Sequence, residues 1–103
     1  MIMKFKIEYI STFCVDISLL ESDLENHPQK AKRLLEKMDD KLNNLTINPF
    51  LYPIYEHFPH FRRIILEDYL IFYVVNEGSK TIEIHRLIYG RMDVPTHLTD
   101  DYA

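Results

Sequence analysis

The sequence predicts an α+β domain: an N-terminal strand, an αα-hairpin, then a three-stranded antiparallel meander, forming one small sheet. Three observations predict it. Residues 4–10 alternate in the manner of a half-buried strand, and residues 11–45 carry two apolar stripes at helical spacing. The closing third, from Phe61 to Asp93, holds three strand-like runs joined by turns too short for a parallel crossover.

In the opening run Phe5, Ile7 and Tyr9 share one face, with Lys4, Lys6, Glu8 and Ile10 on the other. Ser11 or Thr12 is expected to cap the following helix by accepting from its free backbone N–H groups. Phe13, Ile17, Leu20 and Leu24 form that helix's buried stripe, and Asp16, Glu21 and Glu25 fall off it. A second helix is expected from Pro28, whose missing N–H costs nothing at the first position, with Asn26 or His27 at the cap. Its stripe is Ala31, Leu34, Leu35, Met38, Leu42 and Leu45.

Residues 46–60 interleave Pro49, Pro53 and Pro59 with Phe50, Leu51, Tyr52, Ile54, Tyr55 and Phe58, which reads as an ordered connection anchored by aromatics. Strands are expected at about 61–66, 69–76 and 80–88. Glu67-Asp68 separates the first pair, and Asn76-Glu77-Gly78-Ser79 the second, with Gly78 at positive φ. Strict alternation puts Tyr69, Tyr73 and Val75 opposite Leu70, Phe72 and Val74, and Ile82, Ile84 and Arg86 opposite His85, Leu87 and Tyr89. One domain spanning 1–103 is expected, with a weakly patterned, fraying tail over about 94–103.

Charge and composition exclude several function classes. The chain has 103 residues, 47% of them hydrophobic, and a formal net charge of −4, which argues against non-specific coating of nucleic acid. Arginines occur at 33, 62, 63, 86 and 91, so four of the five fall in the closing third, where they can cluster on an acidic domain. The lone Cys14 rules out an internal disulfide and suits a reducing cytoplasm. No signal peptide or membrane-length apolar run is legible, so no membrane association is expected. His27, His57, His60, His85 and His97 lack metal-ligand spacing, and the two glycines, Gly78 and Gly90, cannot make a phosphate cradle. No metal or cofactor is expected.

The chemistry-bearing candidates lie late in the chain. Arg62 and Arg63, adjacent on a strand, must point to opposite faces, as functional cations or as partners of Glu56 or Glu67. His85 is a catalytic candidate only if some carboxylate orients it. In Tyr89-Gly90-Arg91 the glycine permits a tight bend and Arg91 offers a planar fork to phosphate or carboxylate, unless Asp93 or the terminal carboxylate takes it.

The proline-bearing approach to Phe61-Arg62-Arg63, the 68–75 run Asp-Tyr-Leu-Ile-Phe-Tyr-Val-Val, and the 82–93 run Ile-Glu-Ile-His-Arg-Leu-Ile-Tyr-Gly-Arg-Met-Asp carry a resemblance. Together with the element order, they resemble the RelE/ParE superfamily of small bacterial toxins, closest to its ParE-like, plasmid-stabilisation branch. The resemblance implies the toxin of a type II toxin–antitoxin module, neutralised by a cognate antitoxin encoded by a neighbouring gene. It implies target or antitoxin contacts from Arg62, Arg63, Tyr73, Arg86, Tyr89 and Arg91. Some members cleave mRNA on the ribosome, whereas ParE toxins poison DNA gyrase. Leu70, Tyr89 and Met92 stand where the nucleolytic branch tends to have arginine, histidine and arginine. A ribose 2′-OH attack needs a base, an acid and fixed positive charge, so these departures favour gyrase inhibition by binding. The alternatives are a ribosome-dependent endoribonuclease using Arg63, His85 and Arg91, and a non-toxic relative that only binds its neighbour.

Overall fold

A computed structural model describes residues 4–90. The elements run β1 (Lys6–Tyr9), α1 (Ser11–Asp23), α2 (Pro28–Leu45), β2 (Arg62–Leu66), β3 (Tyr69–Asn76) and β4 (Thr81–Tyr89). This is the expected strand, helical hairpin and antiparallel meander in one four-stranded sheet, ordered β1-β4-β3-β2. β1 joins parallel to β4, because the two helices between them make the crossover that parallel pairing requires.

Pro28 opens α2 with His27 at the cap position, as its sequence predicts. α1 differs. Ile10 occupies its cap without a side-chain bond, and the Thr12 hydroxyl instead donates to the His85 carbonyl at 2.7 Å. The helix therefore spends its hydroxyl on the sheet and not on its own end. The β3–β4 turn also departs from expectation: Gly78 keeps a negative φ, and Lys80 takes the left-handed position at φ 55°. The Asn76 side chain braces this turn by accepting from the Ser79 N–H, so glycine's conformational freedom is not used there.

A β-bulge decides the geometry of β4. Phe72 pairs with Arg86 while Tyr73 pairs with Ile84, leaving His85 as the additional residue. Strict alternation had placed Arg86 with Ile82 and Ile84. The bulge breaks that alternation, so Leu87 joins Ile82 and Ile84 in the core beneath the helices.

Two cores result, one on each sheet face. Beneath α1 and α2, Phe13, Leu20, Leu24, Leu34, Met38, Leu42 and Leu45 pack on Ile64, Leu66, Ile71, Tyr73, Ile82 and Ile84. Each fully buried aliphatic or aromatic side chain contributes about 1.5–3 kcal/mol. On the opposite face the proline-rich connection supplies Tyr55 and Phe58, which with Phe61 cover Phe72, Val74 and Ile88. Tyr73 anchors the connection from the helix side, its hydroxyl donating to the Pro49 carbonyl at 3.0 Å.

β1 stops at Tyr9, opposite Ile84, but β4 continues to Tyr89. α1 side chains serve the next part of this edge. Thr12 takes the His85 carbonyl, and the Asp16 carboxylate accepts from the Leu87 N–H at 2.9 Å. The same carboxylate grips Arg86 through Nε at 2.8 Å and Nη2 at 3.2 Å.

Candidate functional site

Cross-strand partners share a sheet face, so the register aligns Arg63, Phe72 and Arg86 in one row on the face away from the helices. Neighbouring strands lie about 4.8 Å apart, which puts the Arg63 and Arg86 backbones about 10 Å from each other. Val74 opposite Glu83 adds a second row, and the bulged His85 stands between them. The candidate site is this face: a basic residue at the β2 margin, an aromatic centre, and a carboxylate–imidazole pair on β4.

At the β2 margin Arg63 lies in an open groove of about 520 Å³, walled by Pro53, Tyr55, Glu56, His57 and Leu70. The His57 ring rests against Tyr55 with centroids 5.2 Å apart. Arg63 Nε is buried without a hydrogen-bond partner. The other described arginines are all engaged. Arg33 meets Glu67, Arg62 donates to the Tyr52 carbonyl at 2.7 Å, and Arg86 is held by Asp16. Arg63 is thus a cation at an open groove with no acidic partner among the described residues, and arginine is the side chain best suited to a carboxylate or phosphate.

Toward β4, His85 Nε2 lies 3.1 Å from Glu83 Oε1, both side chains being largely buried. Phe61 meets the imidazole edge-on at 5.3 Å. Glu83 is the orienting carboxylate that the sequence reading did not name. Its signal was available, because residues two apart on a strand share a face.

The remaining predicted residues are dispersed. Arg62 points to the helix side, where its guanidinium covers the Phe50 ring at 5.0 Å. Tyr73 was expected among the contact residues, but it is fully buried, so its place is in the core. Burial pushes its hydroxyl up to about 12, outweighing the lowering by Arg62 and by the Tyr52 backbone. Tyr89 lies on the helix side against Tyr69, with ring centroids 5.5 Å apart. Arg91 lies outside the described residues. The expected arginine cluster thus resolves into separate positions: Arg62 and Arg63 on opposite faces, and Arg86 neutralised. Glu67, a predicted partner of the β2 arginines, instead takes Arg33 and Lys37 from α2. Among the described residues no group of three or more His, Cys, Asp or Glu side chains is placed to hold a metal ion, and no helix is long and apolar enough to cross a membrane.

A helical hairpin on one face of a β1-β4-β3-β2 sheet, with an arginine groove on the other, defines a small toxin-like α+β domain of the RelE/ParE superfamily. A chain from the crystal structure of the toxin–antitoxin complex RelBE2 of Mycobacterium tuberculosis has the same fold. Its TM-score is 0.60 over 84% of this chain and 98% of that one, at 15% identity. The family model for the ParE toxin of type II toxin-antitoxin system, parDE, matches residues 18–94, and the chain belongs to that family. No curated protein sequence matches it.

Proposed function

We propose that this chain is the toxin of its module and acts by binding and inhibiting a target such as DNA gyrase, without covalent chemistry of its own. Family membership supports the toxin role, and a cognate antitoxin encoded by a neighbouring gene is its first partner. The observation that carries the binding mode is Arg63. It alone among the described arginines has no acceptor among the described residues, and it lines an open groove. An anionic group docked in the groove would meet a guanidinium that no described carboxylate neutralises, which favours a charged partner. A cytoplasmic location belongs to the same reading, since gyrase and ribosomes are there.

A ribosome-dependent endoribonuclease is the second reading, favoured by two features of the same face. Glu56 and His57 share the Arg63 groove, and Glu83 orients His85. These supply acid–base candidates in place of the histidine that Tyr89 replaces, though not the arginines absent at Leu70 and Met92.

Colony formation after tightly controlled induction tests both readings, with Arg63→Ala and Arg63→Ala/Arg91→Ala at matched soluble expression. Loss of viability with the native chain but not the variants supports an arginine-dependent toxin. Purified protein that blocks gyrase supercoiling and leaves ribosome-bound mRNA intact supports the binding mode, and the reverse pattern supports the nuclease. Normal growth in a host with a compatible target would reject the toxin role in favour of a non-toxic binding relative.

A further inference from the structure

We propose that the acidic end of this chain's own C-terminal segment, Asp100-Asp101, docks on Arg63 and caps the groove, so that the protein carries a competitor for its target. The proposal rests on the reading of Arg63 as the target-binding cation and concerns the regulation of that site.

Arg63 has no acidic partner among the described residues, and the groove it lines is open, with Pro53, Tyr55 and Leu70 as apolar walls. Glu56 lines the same groove and opposes an incoming carboxylate. The contact must therefore be a direct one with the guanidinium, whose planar fork takes a carboxylate through two hydrogen bonds.

The described chain ends beside this groove. The Gly90 N–H leaves β4 to donate to the Asp68 carbonyl at 2.7 Å, and a Cβ built on Gly90 would lie 3.8 Å from Leu70 Cγ. Leu70 packs on the face away from the helices and is itself a wall of the Arg63 groove. The chain thus passes into residues 91–103 within one side chain of the groove.

Length permits the return. Arg63 and Arg86 share a row and Gly90 lies four residues beyond Arg86, so the Gly90 and Arg63 backbones are about 16 Å apart. The ten residues from Gly90 to Asp100 span up to about 35 Å when extended. Asp93, three residues on, spans about 11 Å at most, so only the distal pair has slack to settle.

Charge points the same way. The segment sets one arginine, Arg91, against three aspartates, Asp93, Asp100 and Asp101, a formal net charge of −2. Tyr102, next to the pair, offers a ring to the Pro53 and Tyr55 walls. A tether of this length holds the aspartates at an effective concentration of about millimolar order, so even a weak contact is populated.

A nitroxide on Cys14→Ser/Ala103→Cys in the full isotope-labelled chain reads the docking directly, the exposed native cysteine being removed first. Amide signals of His57, Arg63 and Leu70 should broaden, and Asp100→Asn/Asp101→Asn in the same chain should restore them. Added salt should restore them too, because the contact is between charges. Supercoiling-inhibition and ribosome-bound mRNA assays supply the second readout. In whichever of them the native chain is active, Asp100→Asn/Asp101→Asn should be about three- to tenfold more potent. Absent broadening, or broadening that survives the paired substitution, overturns the inference and leaves Arg63 open for its target. Broadening of isotope-labelled chains by separate nitroxide-bearing chains would show docking between copies and overturns it as well. Unchanged potency in an active chain also overturns it, since the segment would then not compete. Groove broadening in a folded chain that is inactive in both assays supports the docked segment and rejects the toxin reading of Arg63.

Discussion

Asp16 does the work of an absent strand, and its removal should be costly. Its carboxylate accepts the Leu87 N–H and two bonds from Arg86, with side-chain exposures of 10% for Asp16 and 27% for Arg86. Asp16→Ala leaves the Leu87 N–H without its acceptor, which costs about 1–3 kcal/mol. The Arg86 guanidinium is exposed enough to turn toward water, so the ion pair itself adds only about 1 kcal/mol. Alanine returns about 0.5 kcal/mol through helix propensity within α1. The net expectation is about 2–3 kcal/mol, or about 10–20 °C in Tm for a domain of this size. Asp16→Asn keeps an acceptor for Leu87 and should lose about half as much. Thermal and urea unfolding of Asp16→Ala, Arg86→Ala and the double variant give the cycle, with a coupling of about 1 kcal/mol expected. A Tm drop below about 3 °C for Asp16→Ala, or strict additivity of the pair, would refute the claim that this carboxylate holds the bulged half of β4.

Other consequences can be checked with the same unfolding assays. Tyr73→Phe removes the bond to the Pro49 carbonyl and should cost about 1–1.5 kcal/mol at neutral pH. Because the folded value of Tyr73 is raised to about 12, its contribution is complete below about pH 10 and lost as pH rises toward 12. That loss is about 3 kcal/mol in the native chain and absent from the Phe variant, so the two stability–pH curves should cross in alkali, the Phe variant becoming the more stable. Gly78→Ala should lie within about 0.5 kcal/mol of native, its Cβ meeting only Asn76 Oδ1 at 3.4 Å. Gly90→Ala should cost about 1–2 kcal/mol, because its Cβ would sit 3.1 Å from the Asp68 carbonyl that the Gly90 N–H already grips. Arg63→Leu removes an unsatisfied buried donor, so the fold should be unchanged or more stable by about 1 kcal/mol while target binding is lost. A clearly destabilised Arg63→Leu would mean that this arginine serves the fold and not a partner.

Local physics alone determined the element order. Period-two alternation marked β1, strand-like runs bounded by short turns marked β2, β3 and β4, helical spacing marked the stripe from Ala31 to Leu45, and Pro28 marked where α2 starts. Short turns after Leu66 and Asn76 left an antiparallel meander as the only economical topology for the last three strands. The opposite-facing pair Arg62 and Arg63 was equally legible, since adjacency on a strand is sufficient. Only the tertiary structure decided the rest. The bulge at His85 falls where β4 pairs with β3 on one side and meets α1 on the other, neighbours that only the folded chain brings together. Asp16 and Arg86 are seventy residues apart in sequence, and no local pattern reports that a helical carboxylate will stand in for a strand. The resemblance implied a contact role for Tyr73, and alternation gives which residues share a face but not which face is covered; the helical hairpin covers this one, and the Pro49 carbonyl takes the Tyr73 hydroxyl there. Arg63 acquired its character in the same way. Its chemistry is in the sequence, but its lack of a partner is a property of everything packed around it.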